Sequence, residues 1–383
     1  MKVPQFMPFV DLQEWESIKN CFEINWITEG PKSKQFVDEL CKITNVKYGV
    51  LAPNGTLALY LGLRALGIGP GDEVIVPTFT FIASANAVEM TGAKPVFVDV
   101  HPDDLQIDIS KCNELITKNT VAIMPVHLYG FAANMDEVIT FASENEILVI
   151  EDAAQALGVE WNNKRCGSFG DVACFSFFAD KTITTGEGGF VGTNNKNIYD
   201  QLLYLRNQGR LNRGSFIHPE IGYNFRMTDI QSAIGLSQLT RFNFIKQRKS
   251  KIFDTYVELL ANEDWLEVIK PKKEVTSHIP FRTIIMLKHE KNDDLMEYLT
   301  SNDIETRTLF YPIDKQPCYQ LNSNQILNSN AEYAYDHGIC LPSYVALEDE
   351  QIKFVCDTIK NYKNELHLFK NRTKLAFSSN TSG

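Results

Sequence analysis

Apolar residues recur along the first two thirds of the chain in short continuous runs that alternate with stretches of helical spacing. The continuous runs occupy residues 73–77, 95–100, 121–126, 147–152 and 171–178. Helical spacing is found at 33–43, 56–66 and 135–145. Uninterrupted apolar strands between helices are typical of a mostly parallel sheet that is covered by helices on both faces. The pattern therefore predicts an α/β fold for this part.

The pattern changes beyond about residue 228. Residues 228–262 are predicted to form one long helix, followed by a strand at 281–288, a helix at 292–302 and a last helix at 349–369. We therefore predict a large domain over 1–240 and a smaller C-terminal α+β domain over 241–370. The polar residues 371–383 are expected to be a flexible tail.

Composition narrows the function classes. The 383 residues contain 37 Lys and Arg against 48 Asp and Glu, a net charge of −11, and no basic run that would indicate nucleic acid as a partner. No apolar run is long enough for a membrane span, and acidic residues come too early for a signal peptide. The eight cysteines lack a C-x-x-C pair and predict reduced thiols without a metal site. We expect a cytoplasmic protein.

Lys181 is the first candidate for chemistry. The apolar run before it ends at Phe178, and a loop rich in Thr and Gly follows. Sheets of this type place reactive groups beyond strand ends, where a partly desolvated lysine is a nucleophilic amine. A single loop lysine is more often solvated, so this position alone leaves both interpretations open.

Asp152 is the second candidate, because it ends a strongly apolar strand. A carboxylate at a buried strand end needs a cationic partner, and a pyridinium nitrogen is one. An equally good interpretation is that Asp152 caps a following helix.

A third signal is Gly55-Thr56 before an apolar helix, where free N–H groups and the helix dipole favour a phosphate. An ordinary capped helix has the same appearance. Phe81 follows another strand end, where it can stack on a flat ring or pack in the core. No glycine fingerprint for a dinucleotide or a P-loop occurs, which disfavours a nicotinamide-dependent sugar oxidoreductase.

Five motifs occurring together are more specific than any of these signals alone. GT, GDEVIVPTFTFIASANA, EDAAQA, SFFADKTITTGEGG and GYNFRMTDIQSAIG resemble the DegT-type sugar aminotransferases of fold type I, and weaker matches extend the similarity from residue 26 to about 345. This resemblance implies pyridoxal 5′-phosphate as the cofactor. By position in the motifs, Lys181 resembles the lysine that holds the cofactor covalently, Asp152 the partner of its ring nitrogen, and Gln155 the partner of its 3-hydroxyl.

The resemblance also implies the remaining cofactor contacts. Gly55, Thr56 and Ser176 resemble phosphate ligands, and Phe81 occupies the ring-stacking position. Asn224 resembles a residue that reaches the phosphate from the neighbouring subunit, which implies a homodimer with composite active sites. Some relatives carry His in place of the lysine and are dehydratases, so Lys181 favours transamination.

The similarity further indicates a substrate class. Residues 26–36 resemble the N-terminal segment of the 4-aminotransferases, and the motifs are most similar to those of members that aminate GDP-4-keto-6-deoxy-mannose. This implies L-glutamate as the amino donor, 2-oxoglutarate as its product, and a role in O-antigen or other surface-glycan synthesis. Open alternatives are a dTDP- or UDP-linked 4-keto sugar, a 3-keto sugar, or a non-catalytic regulator that binds pyridoxal phosphate.

Five residues are candidate substrate contacts: Trp26, Thr28, His127, Arg307 and Tyr311. Ordinary core or rim packing explains the aromatic and histidine positions equally well, and a surface salt bridge explains Arg307 nearly as well.

Overall fold

The computed structural model describes residues 1–210, 216–320, 326–327 and 329–363. Its helices are α1 (Leu12–Glu23), α2 (Pro31–Thr44), α3 (Gly55–Ala65), α4 (Ala83–Met90), α5 (Met135–Glu144), α6 (Lys196–Arg206), α7 (Asp229–Thr240), α8 (Phe242–Leu259), α9 (Asp293–Ser301), α10 (Asn330–His337) and α11 (349–363). Its strands are β1 (Tyr48–Ala52), β2 (Glu73–Pro77), β3 (Lys94–Val98), β4 (Thr120–Ile123), β5 (Leu148–Asp152), β6 (Glu160–Trp161), β7 (Lys164–Arg165), β8 (Val172–Ser176), β9 (Gly189–Thr193), β10 (Leu266–Val268), β11 (Thr283–Leu287), β12 (Arg307–Thr308) and β13 (Gly338–Leu341).

Seven strands form the main sheet in the order β1-β9-β8-β5-β4-β2-β3. The pairs from β3 across to β8 are parallel, whereas β9 runs antiparallel to both β8 and β1. Successive residues of the central strand β5, such as Val149 and Ile150, are buried on opposite faces. The sheet is thus mostly parallel and covered on both sides, and the predicted α/β class is confirmed.

The five strands predicted in the first two thirds of the chain appear as β2, β3, β4, β5 and β8, but β1 and β9 of the same sheet did not stand out in the sequence. Both strands contain glycines where apolar side chains would have revealed them. A Cβ atom at Gly49 would lie 2.2 Å from the Phe190 ring. The close packing of these two strands therefore requires the residue type that hides them from pattern analysis.

The predicted single helix over 228–262 is wrong, because the chain breaks at Arg241 into α7 and α8. Arg241 has φ −103° and ψ 6°, outside the helical range. Its guanidinium pairs with Asp11 at 2.6 Å and with Glu14, and lies 4.5 Å from the centre of the Phe9 ring. Contacts with the N-terminal segment thus stabilise a corner that helical periodicity cannot reveal.

A second, antiparallel sheet has the strand order β10-β11-β13-β12. Apolar side chains of α8 and α11, including Tyr256 and Val355, form a common core with Ile285 and Ile339 of this sheet. Because α8 begins at Phe242, the predicted domain boundary at 240/241 falls at the corner between α7 and α8, and the division into domains stays a prediction. The predicted tail at 371–383 lies outside the described residues.

A buried carboxylate connects α7 to the start of α2. Asp229 accepts hydrogen bonds from the backbone N–H groups of Gly30, Lys32 and Ser33 and from the Ser33 hydroxyl. Its own N–H donates to the Thr28 carbonyl at 3.1 Å. These bonds satisfy first-turn N–H groups that a helix leaves unpaired, and they fix segment 26–30 on the surface.

All eight cysteines are unpaired, and six of them are buried. None of the helices in the described ranges combines the length and the apolar character that crossing a bilayer requires.

Candidate active site

A cavity of about 460 Å³ lies beyond the carboxyl ends of the parallel strands. The main sheet contributes Asp152 at the end of β5 and Ser176 at the end of β8, and the second sheet contributes Arg307. Parallel strands bring their carboxyl ends to one edge, which is where α/β proteins bind ligands. The cavity therefore collects groups that are far apart in the sequence.

Lys181 lies in the loop between β8 and β9, and its side chain lines this cavity. The loop is held at its base by a hydrogen bond from the Phe177 N–H to the Gly188 carbonyl at 2.8 Å. Burial lowers the pKa of the Lys181 amine, and the carboxylates of Asp180 and Asp152 only partly oppose this effect. A lysine with a lowered pKa has more of the neutral, nucleophilic form at neutral pH.

Asp152 presents a buried carboxylate to the same cavity. One oxygen accepts from the Ser84 hydroxyl at 2.7 Å, and the other accepts from the Ala154 N–H at 3.1 Å. Burial raises the pKa of Asp152 despite these two hydrogen bonds. Residues 153–158 form turns and no helix, so the alternative role as a helix cap is wrong. A cationic ligand group in the cavity would stabilise the ionised carboxylate.

Gln155 is oriented by the backbone of Tyr129. Its carbonyl oxygen accepts from the Tyr129 N–H at 2.7 Å. Tyr129 has φ 59°, in the left-handed region, and its ring stacks on Phe310 with centroids 5.6 Å apart. With its oxygen engaged, Gln155 is left with its NH₂ group as the donor for a ligand oxygen.

The first turn of α3 meets the end of β8. The Asn54 side chain accepts from the Leu57 N–H at 2.9 Å, while the N–H groups of Gly55 and Thr56 have no partner within the helix. A Cβ atom at Gly55 would lie 2.8 Å from the Cβ atom of Ser176, so only glycine permits this close approach. Two backbone N–H groups, the helix dipole and two hydroxyls together form an anion site.

His127 does not contact the cavity, and the prediction that it is a substrate contact is wrong. Its side chain is fully buried. Nδ1 accepts from the Ala133 N–H at 3.1 Å, so Nε2 carries the proton and donates to Glu151 at 3.0 Å. Glu151 also accepts from the N–H groups of Gly167, Phe169 and Gly170. The pair is a structural anchor behind Asp152.

Changing Glu151 to Gln is expected to lower the free energy of unfolding by about 2–4 kcal/mol, because an amide cannot accept from all four donors and leaves buried groups unpaired. Denaturant unfolding measures this effect. Glu160→Gln is the matched control, because Glu160 pairs with Arg165 near the surface and should contribute less than about 1 kcal/mol. Equal stability of the two variants would contradict the anchor role.

The other predicted contacts divide into two groups. Phe81 and Arg307 line the cavity, and the Phe81 ring is 56% exposed, with its centre 6.1 Å from that of Phe310. Tyr311 turns away and packs edge-on against Tyr335, with centroids 4.9 Å apart. Its neighbour Phe310 faces the cavity instead.

Trp26 and Thr28 line a different cleft of about 800 Å³, together with Arg206 and Arg226. Asn224 lies beside this cleft, and its side-chain oxygen accepts from Arg226 Nε at 2.7 Å. Within one protomer these residues do not meet Lys181.

Sequence reasoning missed several cavity residues, among them Tyr129, Arg282 and Phe310. None belongs to a spacing pattern that distinguishes it from ordinary core or loop residues. The Arg282 guanidinium pairs with Asp180 at 2.8 Å, directly beside Lys181.

The functional groups that line the cavity complement those of a phosphorylated pyridine aldehyde. It offers an amine for the aldehyde, a carboxylate for the ring nitrogen, an amide NH₂ for a ring oxygen and an anion site for the phosphate. Each of these groups complements one functional group of pyridoxal phosphate.

Comparisons with known proteins agree with this chemistry. The model of the DegT/DnrJ/EryC1/StrS aminotransferase family matches residues 10–360. The GDP-perosamine synthases of Escherichia coli O157:H7 and Vibrio cholerae are both 39% identical to this chain, over 95% and 94% of it and 99% of each relative. The structure of a putative sugar aminotransferase, Spr1654 from Streptococcus pneumoniae in its PMP form, superposes with a TM-score of 0.92 at 26% identity, over 97% of this chain and 100% of that one. The chain therefore belongs to the DegT/DnrJ/EryC1/StrS aminotransferase family and is a pyridoxal-phosphate-dependent sugar aminotransferase.

Proposed function

We propose that this protein transfers the amino group of L-glutamate to C4 of GDP-4-keto-6-deoxy-mannose and so forms GDP-perosamine. The observation that carries the proposal is the cavity that combines the partly buried Lys181 amine with the Asp152 carboxylate and the anion site at Gly55 and Thr56. The choice of sugar is supported by full-length similarity to GDP-perosamine synthases.

Each residue has a defined task in this proposal. Gly55, Thr56 and Ser176 bind the phosphate, Phe81 covers one face of the ring, and the Gln155 NH₂ donates to the 3-hydroxyl. Pyridoxal phosphate supplies an aldehyde that accepts the amino group and a ring that withdraws electrons from the reacting carbon. Asp152, buried and ionised, keeps the ring nitrogen protonated.

Lys181 has two tasks. Its amine holds the cofactor between turnovers, and in its free, neutral form it moves a proton between the cofactor carbon and the sugar carbon. Both tasks require a fixed loop, which the hydrogen bonds from the Phe177 N–H to the Gly188 carbonyl and from the Thr185 N–H to the Phe177 carbonyl provide.

Arg307 is proposed to bind an anionic group of a substrate at the cavity mouth. Arg307 is the first residue of β12 in the second sheet, and its exposed side chain lines the cavity. A guanidinium pairs well with a phosphate or a carboxylate, which suits either the nucleotide or glutamate.

We further propose a homodimer in which Asn224, Trp26 and Thr28 complete the active site of the partner subunit. Support comes from Leu12, Trp15 and Phe22, which lie on one face of α1 by their spacing and are exposed, as Trp26 shortly after this helix is. Large exposed apolar residues clustered on one surface are typical of an interface.

Mixing two inactive variants tests the composite site. Lys181→Ala and Asn224→Ala subunits, unfolded and refolded together, are expected to regain about a quarter of wild-type activity, because half of the dimers are mixed and each has one intact site. Each variant refolded alone is the control. A mixture no more active than those controls, although mass analysis detects mixed dimers, would contradict the proposal.

The cytoplasm is the proposed location, since eight free thiols fit a reducing compartment. The product would then serve O-antigen or other surface-glycan synthesis.

A product assay tests the reaction itself. The protein is incubated with pyridoxal phosphate, ¹⁵N-labelled L-glutamate and, in separate tubes, GDP-, dTDP- and UDP-linked 4-keto-6-deoxy sugars. We expect mass spectrometry to show ¹⁵N in the sugar of the GDP tube, with the carbonyl oxygen replaced by an amine. Conversion only in another tube would overturn the proposed nucleotide, and conversion only of a 3-keto sugar would overturn the position. Binding of the cofactor without conversion of any sugar would favour the regulator.

A further inference from the structure

A second lysine lies buried behind the active-site loop. Lys249, on α8, is 5% exposed. Within the described residues its amine hydrogen-bonds to two backbone carbonyls, those of Pro280 and Ser343, each at 3.3 Å. No carboxylate of this part of the chain lies within ion-pair distance of it. An ammonium held only by neutral carbonyls in the interior is unfavourable.

Lys249 and Lys181 border the same aromatic ring. The Lys181 amine lies 4.5 Å from the centre of the Phe281 ring, the Arg282 guanidinium carbon lies 4.5 Å from it, and the Lys249 amine lies 6.0 Å from it. Three basic side chains therefore share a small buried volume. A ring face stabilises a nearby cation only modestly, and it cannot neutralise three of them.

One carboxylate directly contacts this group. Asp180 binds Arg282 at 2.8 Å and lies 3.7 Å from the Lys181 amine. Arginine keeps its charge, so the Asp180–Arg282 pair is neutral as a unit. Asp152 faces Lys181 from the cavity side, where the proposed cofactor nitrogen would engage it. Little negative charge is left to stabilise two further ammonium groups.

The remaining surroundings of Lys249 do not change this balance. A small cavity of about 20 Å³ separates it from the Lys181 loop, and Tyr344 is the further titratable residue in its wall. The N-terminal segment 6–9 and Gln238 of α7 contribute uncharged side chains to the same wall. Burial lowers the pKa of Lys249 to about 7, with Arg282 and Lys181 acting in the same direction and Asp180 opposing them.

We propose that Lys249 is a positioning residue for the charge of Lys181, because the two amines border one ring and compete for one proton. A positive charge on one amine disfavours protonation of the other, and this interaction is mutual. Lys249 thereby helps to keep the released Lys181 amine in the neutral form that can accept a proton. The inference deepens the proposed function, since it rests on Lys181 as the cofactor lysine.

Two substitutions with opposite charge effects test the competition. Lys249→Met keeps an unbranched side chain but removes the charge, whereas Lys249→Arg makes the charge permanent. The first readout is the pH midpoint of the visible absorbance of the full chain loaded with pyridoxal phosphate. The second is the pH dependence of trace acetylation of Lys181 in the cofactor-free chain, followed by mass spectrometry.

We expect the Met variant to raise both midpoints by about 0.5–1 pH unit and the Arg variant to lower them by a similar amount. A purely structural role would not produce shifts of opposite sign. Lys251→Met is the matched control, because this lysine lies on the same helix but is exposed and pairs with Asp349, so neither midpoint should move. If the Arg variant does not fold, Lys249→Gln replaces it and must shift in the same direction as Met.

Unchanged midpoints, or shifts of the same sign in the Met and Arg variants, would overturn the inference. This outcome is distinct from failure of the proposed function. A wild-type chain without a visible absorbance band would contradict Lys181 as the cofactor lysine, yet the acetylation readout would still decide whether the two amines compete.

Discussion

Replacing Lys181 with alanine is expected to lower kcat for amino transfer by at least about 10⁴-fold, because one change removes both the proposed covalent attachment and the proposed proton carrier. The loss should appear in kcat, since the anion site, Asp152 and Gln155 remain to bind the cofactor. A single-turnover assay with the amine form of the cofactor separates proton transfer from cofactor reloading. We expect that half-reaction to be slowed as well.

Lys118→Ala is the matched control for Lys181→Ala, because it removes the same side chain from an exposed site remote from the cavity. Its kcat should equal that of the unaltered protein. Circular dichroism and cofactor titration would establish that the Lys181 variant is folded and still binds pyridoxal phosphate. Near-normal turnover by that folded variant would show that another group moves the proton.

Asp152→Asn is expected to reduce kcat by about 10²–10⁴-fold, since removing the charge of one member of a buried pair costs about 3–5 kcal/mol and each 1.4 kcal/mol is tenfold in rate. The asparagine amide can still accept from Ser84, so the fold should persist. The variant loses the negative charge that we propose keeps the ring nitrogen of the cofactor protonated. Steady-state kinetics with saturating cofactor measures the effect.

Glu151→Gln gives the sharpest comparison, because it alters the preceding residue on the same strand. Glu151 points to His127 and three backbone N–H groups on the side away from the cavity. We expect this variant to lose stability and to retain kcat, whereas Asp152→Asn should lose kcat and retain stability. If both variants changed in the same way, the separation of roles along β5 would be wrong.

Sequence patterns located the groups attached to the main sheet well. Lys181 follows an apolar run and Asp152 ends one, and the structure brings both to one cavity. These positions could be predicted because the end of a buried strand is visible in the sequence as a change from apolar to polar residues. Parallel strand order then places such positions along a common edge.

The same reasoning could not assign roles that depend on the direction of a side chain. Glu151 and Asp152 are adjacent and acidic, yet one faces the interior and the other faces the cavity. The sequence suggested His127 as a contact of the substrate, but its ring is directed towards Glu151. Lys249 sits in a helix with basic neighbours, and nothing in its spacing distinguishes it from the exposed Lys251.

The origin of the cavity walls has a consequence for how enzymes of this architecture diverge. Asp152 ends a strand of the main sheet, and Gln155 and Lys181 lie in loops that follow strands of that sheet. Arg307 and Phe310 instead come from β12 of the second sheet and the residues after it. In the proposed function, the groups that react and a group that binds substrate are thus encoded in separate stretches of the chain. We expect exchange of residues 305–313 between homologues to alter substrate preference and to leave Lys181, Asp152 and Gln155 in place.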